Sequence, residues 1–153
     1  EAVYSSPLKR AIQTAQSIAQ QLSLPIMLAP GLAEIDAGEM DGMLLSEVIE
    51  KHPQFWKDMI NGNSSLRWPG GESLDDIAER AWQPVQALLG QKKLGVLLVG
   101  HTFSLVTILL RSLGWPLGQF RHLRLEPASI TVLEFGNRGA TLLTLNDTCH
   151  WKE

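Results

Sequence analysis

Cysteine is almost absent from this sequence, because Cys149 is the only example in 153 residues. A single thiol excludes an internal disulfide framework and is typical of a reducing compartment, so we expect a cytoplasmic protein. Long hydrophobic runs are also missing, since the longest apolar stretch, at residues 94–110, is interrupted by Gly100-His101. A membrane-spanning helix needs about 20 apolar residues, so we expect no membrane partner.

The usual signatures of nucleotide, metal and nucleic-acid sites are absent as well. There is no glycine-rich Walker loop and no G-x-G-x-x-G, and the histidine, cysteine and acidic residues do not follow metal-ligand spacing. The net charge is −3 and no basic stripe occurs, which argues against nucleic acid as a partner. A hydrophobic content of 44% with 19% charged residues favours one globular domain over residues 1–153.

Strand and helix patterns alternate along the chain. Residues 2–4 are typical of the end of a strand, and apolar residues from Leu8 to Leu22 then follow helical spacing. The continuous apolar run Leu94–Val99 predicts a strand buried on both faces, and it leads into an apolar helix over 103–113. Further predicted elements are strands at 26–29, 123–125, 130–135 and 141–145, short helices at 44–52 and 54–60, and a long helix capped by Ser73 and weakened at Pro84. The alternation predicts an α/β fold with a mostly parallel sheet and a hairpin turn at 137–139.

His101 is the first candidate for chemistry. It comes directly after a predicted buried strand and directly before a helix. Ligands of open α/β sheets gather at the carboxyl ends of strands, and a helix N-terminus favours an anion there. An imidazole at this place can donate to a phosphate or transfer a proton. A histidine that merely caps the turn is the alternative, and His101 taken alone does not decide between them.

Arg10 and Glu34 are the next two candidates. Arg10 follows another strand end, and its guanidinium can bind phosphate through two hydrogen bonds, although an ordinary surface arginine would lie there too. Glu34 lies in a loop over 30–43, called the acid loop below, between apolar residues that would partly desolvate its carboxyl group. Such a carboxyl group can serve as a general acid. Asp36, Glu39 and Asp41 share the loop, and composition does not choose among the four.

Five segments in order resemble the histidine phosphatase superfamily, the phosphoglycerate-mutase-like proteins. They are S-x-L-x-R-A-x-Q-T-A at 6–15, L-x-E-x-x-x-G-x-x-x-G at 32–42, P-G-G-E-S at 69–73, V-G-H at 99–101 and N-D-T-x-H at 146–150. Each match is short, but their order and spacing agree along almost the whole chain. The resemblance implies a three-layer α/β fold with a mostly parallel central sheet and helices on both faces.

The same resemblance implies a phosphomonoester hydrolase of the compact phosphatase branch. Arg10 would bind the phosphoryl group, and Glu34 would protonate the leaving oxygen and then help to activate water. His101 would hydrogen-bond the phosphoryl oxygens, with Thr102 beside it in the substrate site. Phosphoryl transfer needs positioning and charge neutralisation above all. The family supplies these with arginine and histidine rather than with a metal, so the resemblance implies no cofactor. The expected partner is a small phosphorylated metabolite.

The sequence departs from the family pattern in two places. The family's nucleophile is a histidine in an Arg-His-Gly motif on its first strand, and no such triplet occurs here. We therefore expect this strand and its phosphohistidine to lie upstream of Glu1, and this chain alone to be inactive. Exposed sheet edges would then favour a homo-oligomer or pairing with another chain, and a poorly stable monomer. The second departure is Thr102-Phe103, which is bulkier than the small residues common after the histidine and would narrow the phosphate site.

Two other functions remain open. Phosphoglycerate mutases carry a longer insertion between the acid loop and the G-E-S segment, whereas here the 37 residues 35–71 separate Glu34 from Glu72. That spacing favours a phosphatase over a mutase. The last alternative is a non-catalytic module that binds phosphate or a partner protein, for which a chain without the nucleophile would suffice.

Overall fold

The computed structural model describes residues 1–89, 91 and 95–151. Five strands and five helices occur in this part of the chain. In chain order they are β1 (Ala2–Ser5), α1 (Lys9–Leu22), β2 (Ile26–Leu28), α2 (Leu45–Lys51), α3 (Pro53–Ile60), α4 (Leu74–Leu89), β3 (Val96–Val99), α5 (Thr102–Leu113), β4 (Ile130–Gly136) and β5 (Gly139–Asp147). Short 3₁₀ helices cover Pro30–Leu32, Gly38–Met40 and Leu117–His122.

A parallel sheet of three strands forms the centre of the fold, in the order β2-β1-β3. Val3 of β1 is opposite Ile26 of β2 on one side and Leu97 of β3 on the other. Hydrogen bonds continue past the strand ends, because Ser6 N–H donates to Val99 O at 2.8 Å. The carboxyl ends of β1 and β3 therefore lie side by side, and the predicted α/β fold with a mostly parallel sheet is confirmed.

Helices cover both faces of this sheet, as a three-layer fold requires. On one face Val3 packs with Ala15 and Ala19 of α1, whose small side chains let the helix approach closely. On the other face the core consists of Ala29, Leu32, Ala81, Val85 and Ile108, with Tyr4 and Leu98 packed against it. Burial of these side chains supplies the main driving force for assembling the layers.

The β4–β5 hairpin stands apart from the parallel sheet. Its strands are antiparallel, and Gly136 pairs with Gly139 across a two-residue turn, which confirms the predicted turn at 137–139. The hairpin packs against α5. The predicted strand Leu123–Leu125 is wrong: these residues pair with no strand in the part of the chain that the structure describes, and a strand exists only through such pairing.

Three other sequence predictions meet a mixed outcome. Leu94, the first residue of the apolar run, lies outside the described residues. Both faces of β3 are covered as predicted, since Leu98 packs against one core cluster and Leu97 and Val99 pack against the other, but its first residue Val96 is 37% exposed. The helix α4 continues through Pro84 to Leu89 without a break. The predicted cap of α4 is confirmed, because Asp76 N–H donates to Ser73 Oγ and Asp76 Oδ2 accepts from Ser73 N–H. Among the described residues, no helix combines the length and the apolarity needed to cross a bilayer.

Candidate active site

Two neighbouring strand ends place Ser6 and His101 against each other. Ser6 follows β1 and is fully buried, while His101 follows β3 after Gly100. His101 Nε2 lies 2.9 Å from Ser6 Oγ, and the same hydroxyl oxygen accepts a hydrogen bond from Leu8 N–H at 3.2 Å. The imidazole is thereby fixed at the carboxyl edge of the sheet, where ligands of α/β folds gather.

Ser104, in the first turn of α5, connects His101 to the acid loop through hydrogen bonds. His101 is the N-cap of α5, and its N–H donates to Ser104 Oγ at 3.1 Å. The Ser104 hydroxyl, which is completely buried, donates in turn to Leu32 O at 3.0 Å. The backbone around His101 is therefore held by side-chain bonds in addition to the helix ladder.

The electrostatic surroundings of His101 favour its neutral form. Partial burial lowers the pKa of the imidazole below its ordinary value of 6.5, and the positive charges of Arg10 and Arg80 lower this pKa further. A neutral imidazole carries one N–H donor and one acceptor nitrogen. His101 therefore enters any reaction near neutral pH as an uncharged hydrogen-bonding group.

The Glu34 carboxyl group meets the N-terminus of the same helix. Its Oε1 accepts hydrogen bonds from Ile35 N–H at 3.0 Å and from Phe103 N–H at 3.1 Å. Phe103 is the second residue of α5, so the carboxyl group lies beside backbone N–H groups that no helical carbonyl satisfies. Among the four acidic residues of the acid loop that composition left open, Glu34 is the one that bonds to α5.

Arg10 and Thr102 lie at the same edge of the sheet. Arg10 is the second residue of α1 and is exposed, and after partial burial its positive charge is the next cause that lowers the pKa of His101. Thr102 is the exposed first residue of α5. The ring of Phe103 faces Phe120, with ring centroids 6.0 Å apart. A narrowing of the phosphate site by Thr102-Phe103 stays a prediction.

Arg80 of α4 is the main site residue that the sequence did not reveal. Its guanidinium donates from Nε and Nη2 to the two carboxylate oxygens of Glu72, at 2.7 and 2.8 Å. The remaining N–H groups donate to Gly31 O, Ala33 O and Glu34 O at 2.7, 2.8 and 3.0 Å. The one available signal was an arginine among the buried positions Ala78 and Ala81 of an amphipathic helix.

The P-G-G-E-S segment packs directly on the acid loop. Glu39 N–H donates to Pro69 O at 2.8 Å, and Glu72 N–H donates to Asp36 O at 2.9 Å. A Cβ atom at Gly38 would lie 2.1 Å from Pro69 O, and one at Gly71 would lie 2.2 Å from Asp36 O. Both glycines are therefore required by this close backbone approach, which explains why two separate motifs carry them.

Metal-binding geometry does not occur at this edge. Across residues 1–89, 91 and 95–151, no three histidine, cysteine, aspartate or glutamate side chains converge as a metal site would need.

Comparison with known proteins places this architecture in a family. Residues 1–148 match the family model of the histidine phosphatase superfamily, branch 1. Phosphoserine phosphatase 1 of Hydrogenobacter thermophilus is 32% identical over 164 aligned positions that cover 100% of this chain and 73% of the relative. A probable phosphoglycerate mutase of Yersinia pestis is 29% identical over 157 positions, covering 97% of this chain and 72% of the relative.

A solved structure agrees with these sequence matches. A mutant phosphoserine phosphatase of Entamoeba histolytica, determined in complex with phosphoserine, superposes with a TM-score of 0.86 at 26% identity. The superposition covers 98% of this chain and 75% of that one. The match to the family model, the related sequences and the structural likeness lead to the same conclusion, and the chain belongs to the histidine phosphatase superfamily, branch 1.

Proposed function

We propose that the protein hydrolyses a small phosphomonoester at the edge of the sheet formed by Ser6, Glu34 and His101. The observation that carries the proposal is the convergence of the His101 imidazole and the Glu34 carboxyl group at the N-terminus of α5, with the positive charge of Arg10 near enough to help lower the pKa of His101. A phosphoryl group needs hydrogen-bond donors and positive charge around its oxygens, and this edge offers both. Residues 1–153 would form one such domain.

In this proposal Arg10, His101 and Thr102 bind the phosphoryl oxygens. Arg10 supplies a lasting positive charge, and the N-terminus of α5 supplies a favourable dipole. When the Ser6 hydroxyl donates to Nε2 of the neutral ring, the proton of His101 resides on Nδ1 and is available to a phosphoryl oxygen. Ser6 would thus select the tautomer, in addition to orienting the ring.

Glu34 would act as the general acid. Two backbone N–H groups hold its Oε1, and no donor among the described residues bonds to Oε2. A proton on Oε2 would pass to the leaving oxygen as the bond from phosphorus to that oxygen breaks. In the second step the carboxylate would take a proton from the water that attacks phosphorus, so that Glu34 returns to its starting form.

The phosphoryl group would be carried between these steps on a histidine, as the family resemblance implies, without a metal ion. No Arg-His-Gly triplet occurs among the 153 residues, so this histidine would come from outside them. Without that histidine, residues 1–153 alone would bind phosphate but would not hydrolyse a phosphomonoester. The natural substrate would be a small phosphorylated metabolite, in line with the names of the phosphoserine phosphatases among the relatives.

The test is phosphate release from 4-nitrophenyl phosphate and from phosphoserine by the full-length protein. His101→Ala should lower the turnover by about 10²- to 10³-fold, the usual loss for one donor to transition-state charge. His122→Ala, at an exposed histidine of the Leu117–His122 turn, is the matched control and should retain turnover. Equal activity of wild type and His101→Ala would refute the assignment.

Mutase activity is the second candidate, because a relative named as a probable phosphoglycerate mutase aligns over most of the chain. With 3-phosphoglycerate as substrate, a phosphatase releases inorganic phosphate, whereas a mutase forms the 2-phospho isomer without releasing phosphate. A non-catalytic module would do neither but would still bind inorganic phosphate.

A further inference from the structure

Arg80 lies outside the set of groups that contact substrate in the proposed reaction, yet it bonds to the backbone that carries Glu34. Its side chain is 22% exposed and that of its partner Glu72 is 23% exposed, so the pair is largely withdrawn from water. A guanidinium has five N–H donors. All five are used: Nε bonds Glu72, Nη1 bonds Gly31 and Ala33, and Nη2 bonds Glu72 and Glu34.

The backbone carbonyl groups that accept from Arg80 lie in the segment that ends at Glu34. Three of the four residues 31–34 give their carbonyl oxygen to the guanidinium, the last being Glu34 itself. A hydrogen bond to this oxygen fixes the plane of the peptide after Glu34. Because that plane sets where the next N–H points, it also sets the Ile35 N–H that donates to Glu34 Oε1.

Glu72 holds the chain on the far side of Glu34. Its Oε2, which accepts from Arg80, also accepts from Asp36 N–H at 3.0 Å. The Arg80 hydrogen bond is the largest cause that keeps the pKa of Glu72 below its ordinary value, so this carboxylate stays charged through the range in which enzymes normally work. The Arg80–Glu72 pair therefore holds the acid loop on both sides of Glu34, since Arg80 bonds to carbonyl groups within residues 31–34 and Glu72 bonds to Asp36 N–H.

We propose that Arg80, held by Glu72, is the positioning residue that sets the Glu34 carboxyl group for proton transfer. The inference rests on the proposed function, since it gives Arg80 a role in the same reaction. Arg80 touches neither substrate nor reacting atoms in this arrangement; it acts through the peptide groups on either side of Glu34. The charged groups around His101 are the two arginines Arg10 and Arg80, whose positive charges lower its pKa, and the Glu34 carboxyl group at the start of α5.

The kinetic test compares two esters that differ in their need for an acid. The leaving group of 4-nitrophenyl phosphate departs without protonation, whereas the serine alkoxide of phosphoserine does not. The kinetic constant to compare is kcat/KM, because it reports the first transfer step alone, whereas water attack on the phosphohistidine is common to both esters and can limit kcat. In the full-length protein, Arg80→Gln should lower kcat/KM on phosphoserine by on the order of 10²-fold, as for a small misplacement of a catalytic group. The same variant should change kcat/KM on 4-nitrophenyl phosphate far less, and Glu34→Gln should show the same selectivity for the poor leaving group.

Two further variants separate the contribution of the Arg80 hydrogen bonds from that of its positive charge. Arg80→Lys keeps the positive charge but has only three donors on one atom, so it should restore only part of the phosphoserine activity. Arg67→Gln is the matched control, because Arg67 also bonds to α4, through Asp76, but is 59% exposed and makes no bond to the acid loop in the described structure. It should keep both activities within about twofold, as expected when an exposed ion pair is lost. An equal loss of kcat/KM on both esters in Arg80→Gln would overturn the proposal.

Amide hydrogen exchange tests the same inference without any turnover. Ile35 N–H and Phe103 N–H both donate to Glu34 Oε1, so their exchange should accelerate in Arg80→Gln. Trp115 N–H donates to Leu110 O at the other end of α5 and is the internal reference, which should keep its rate. If all three accelerate together, Arg80 only stabilises the fold and the inference is wrong.

The exchange result also separates this inference from the proposed function. If the full-length protein hydrolyses no phosphomonoester, the proposed function fails, but exchange at the three amides still reports whether Arg80 determines the position of Glu34.

If Arg80→Gln does not fold, Glu72→Gln can be used in the same exchange experiment instead. That variant should accelerate exchange at Ile35 and Phe103 by a smaller factor, and unchanged exchange at both would contradict the inference.

Discussion

The acid loop and the β4–β5 hairpin differ in what holds them in place. The acid loop contacts α4, α5 and the P-G-G-E-S segment through hydrogen bonds: it accepts from Arg80 and Ser104, and its Asp36 N–H donates to the Glu72 carboxylate. The hairpin is held by its own ladder and by packing on α5, and it leaves large apolar side chains exposed. These include Ile130 at 50%, Phe135 at 41% and Leu143 at 57% exposure.

The difference fits the proposed function, in which the acid loop carries the general acid. A catalytic carboxyl group must be held within a fraction of an ångström, and directional bonds from several elements achieve that better than apolar contact. The hairpin carries none of the proposed site residues, so its strands need only remain paired.

The largest expected contrast comes from truncating one leucine in each region. Leu32 of the acid loop is 0% exposed and packs in the core beneath it, so Leu32→Ala should cost about 3 kcal/mol of unfolding free energy. Leu143 of the hairpin is 57% exposed, and Leu143→Ala should change this free energy by less than about 0.5 kcal/mol. Urea unfolding of the full-length protein measures both. A large cost at Leu143 would show that the hairpin is covered in that protein and would break the comparison.

A smaller contrast concerns one glycine in each region. A Cβ atom at Gly31 would lie 2.2 Å from the backbone oxygen of Arg80, so Gly31→Ala must push the acid loop away from α4, at a cost of about 2 kcal/mol. Nothing lies within 4 Å of a Cβ atom at Gly136, and Gly136→Ala should stay within about 0.5 kcal/mol of wild type. Thermal unfolding of the two variants side by side checks this. Equal melting temperatures would mean that the acid loop can move away from α4 at little cost in stability, in spite of its hydrogen bonds.

The elements around the site could be predicted because their signals are local. Pro7 and Gly100 punctuate the turns after β1 and β3, and Gly114 in left-handed conformation ends α5 where expected. Apolar periodicity then gave the helices α1 and α5 to within one residue. Leu123–Leu125 shows the limit, since an apolar triplet becomes a strand only if a partner strand is in reach.

The candidate site was predictable only in part, for a similar reason. Arg10 and His101 stand at strand ends, where position alone suggests a ligand site, and the family resemblance singled out Glu34. Arg80 could not be found this way, because it bonds to backbone carbonyls 46 to 49 residues away and no side-chain pattern records such a bond. Only the folded chain brings α4 against the acid loop.

The smallest expected contrast is electrostatic. Because burial, Arg10 and Arg80 lower the pKa of His101, the folded state holds this proton less tightly than the unfolded chain does. The free energy of unfolding should therefore be independent of His101 above its ordinary pKa of 6.5 and should fall as the pH drops below 6.5. The carboxylates of Glu72 and Asp76, whose pKa values are lowered from 4.5 and 3.8, add their own loss of stability only at lower pH.

Between pH 6.5 and 4.5 the loss should therefore belong largely to the site end of the molecule. His101→Asn should flatten the pH dependence of urea unfolding in this window, since the titrating group is removed. Arg10→Gln should flatten it only in part, because burial remains the larger cause of the shift. Lys9→Gln, which removes a positive charge from the adjacent position of α1, is the control and should keep the wild-type slope. An unchanged slope in His101→Asn would place the titrating group outside the candidate site, and the contrast between the site and the hairpin would then have no electrostatic part.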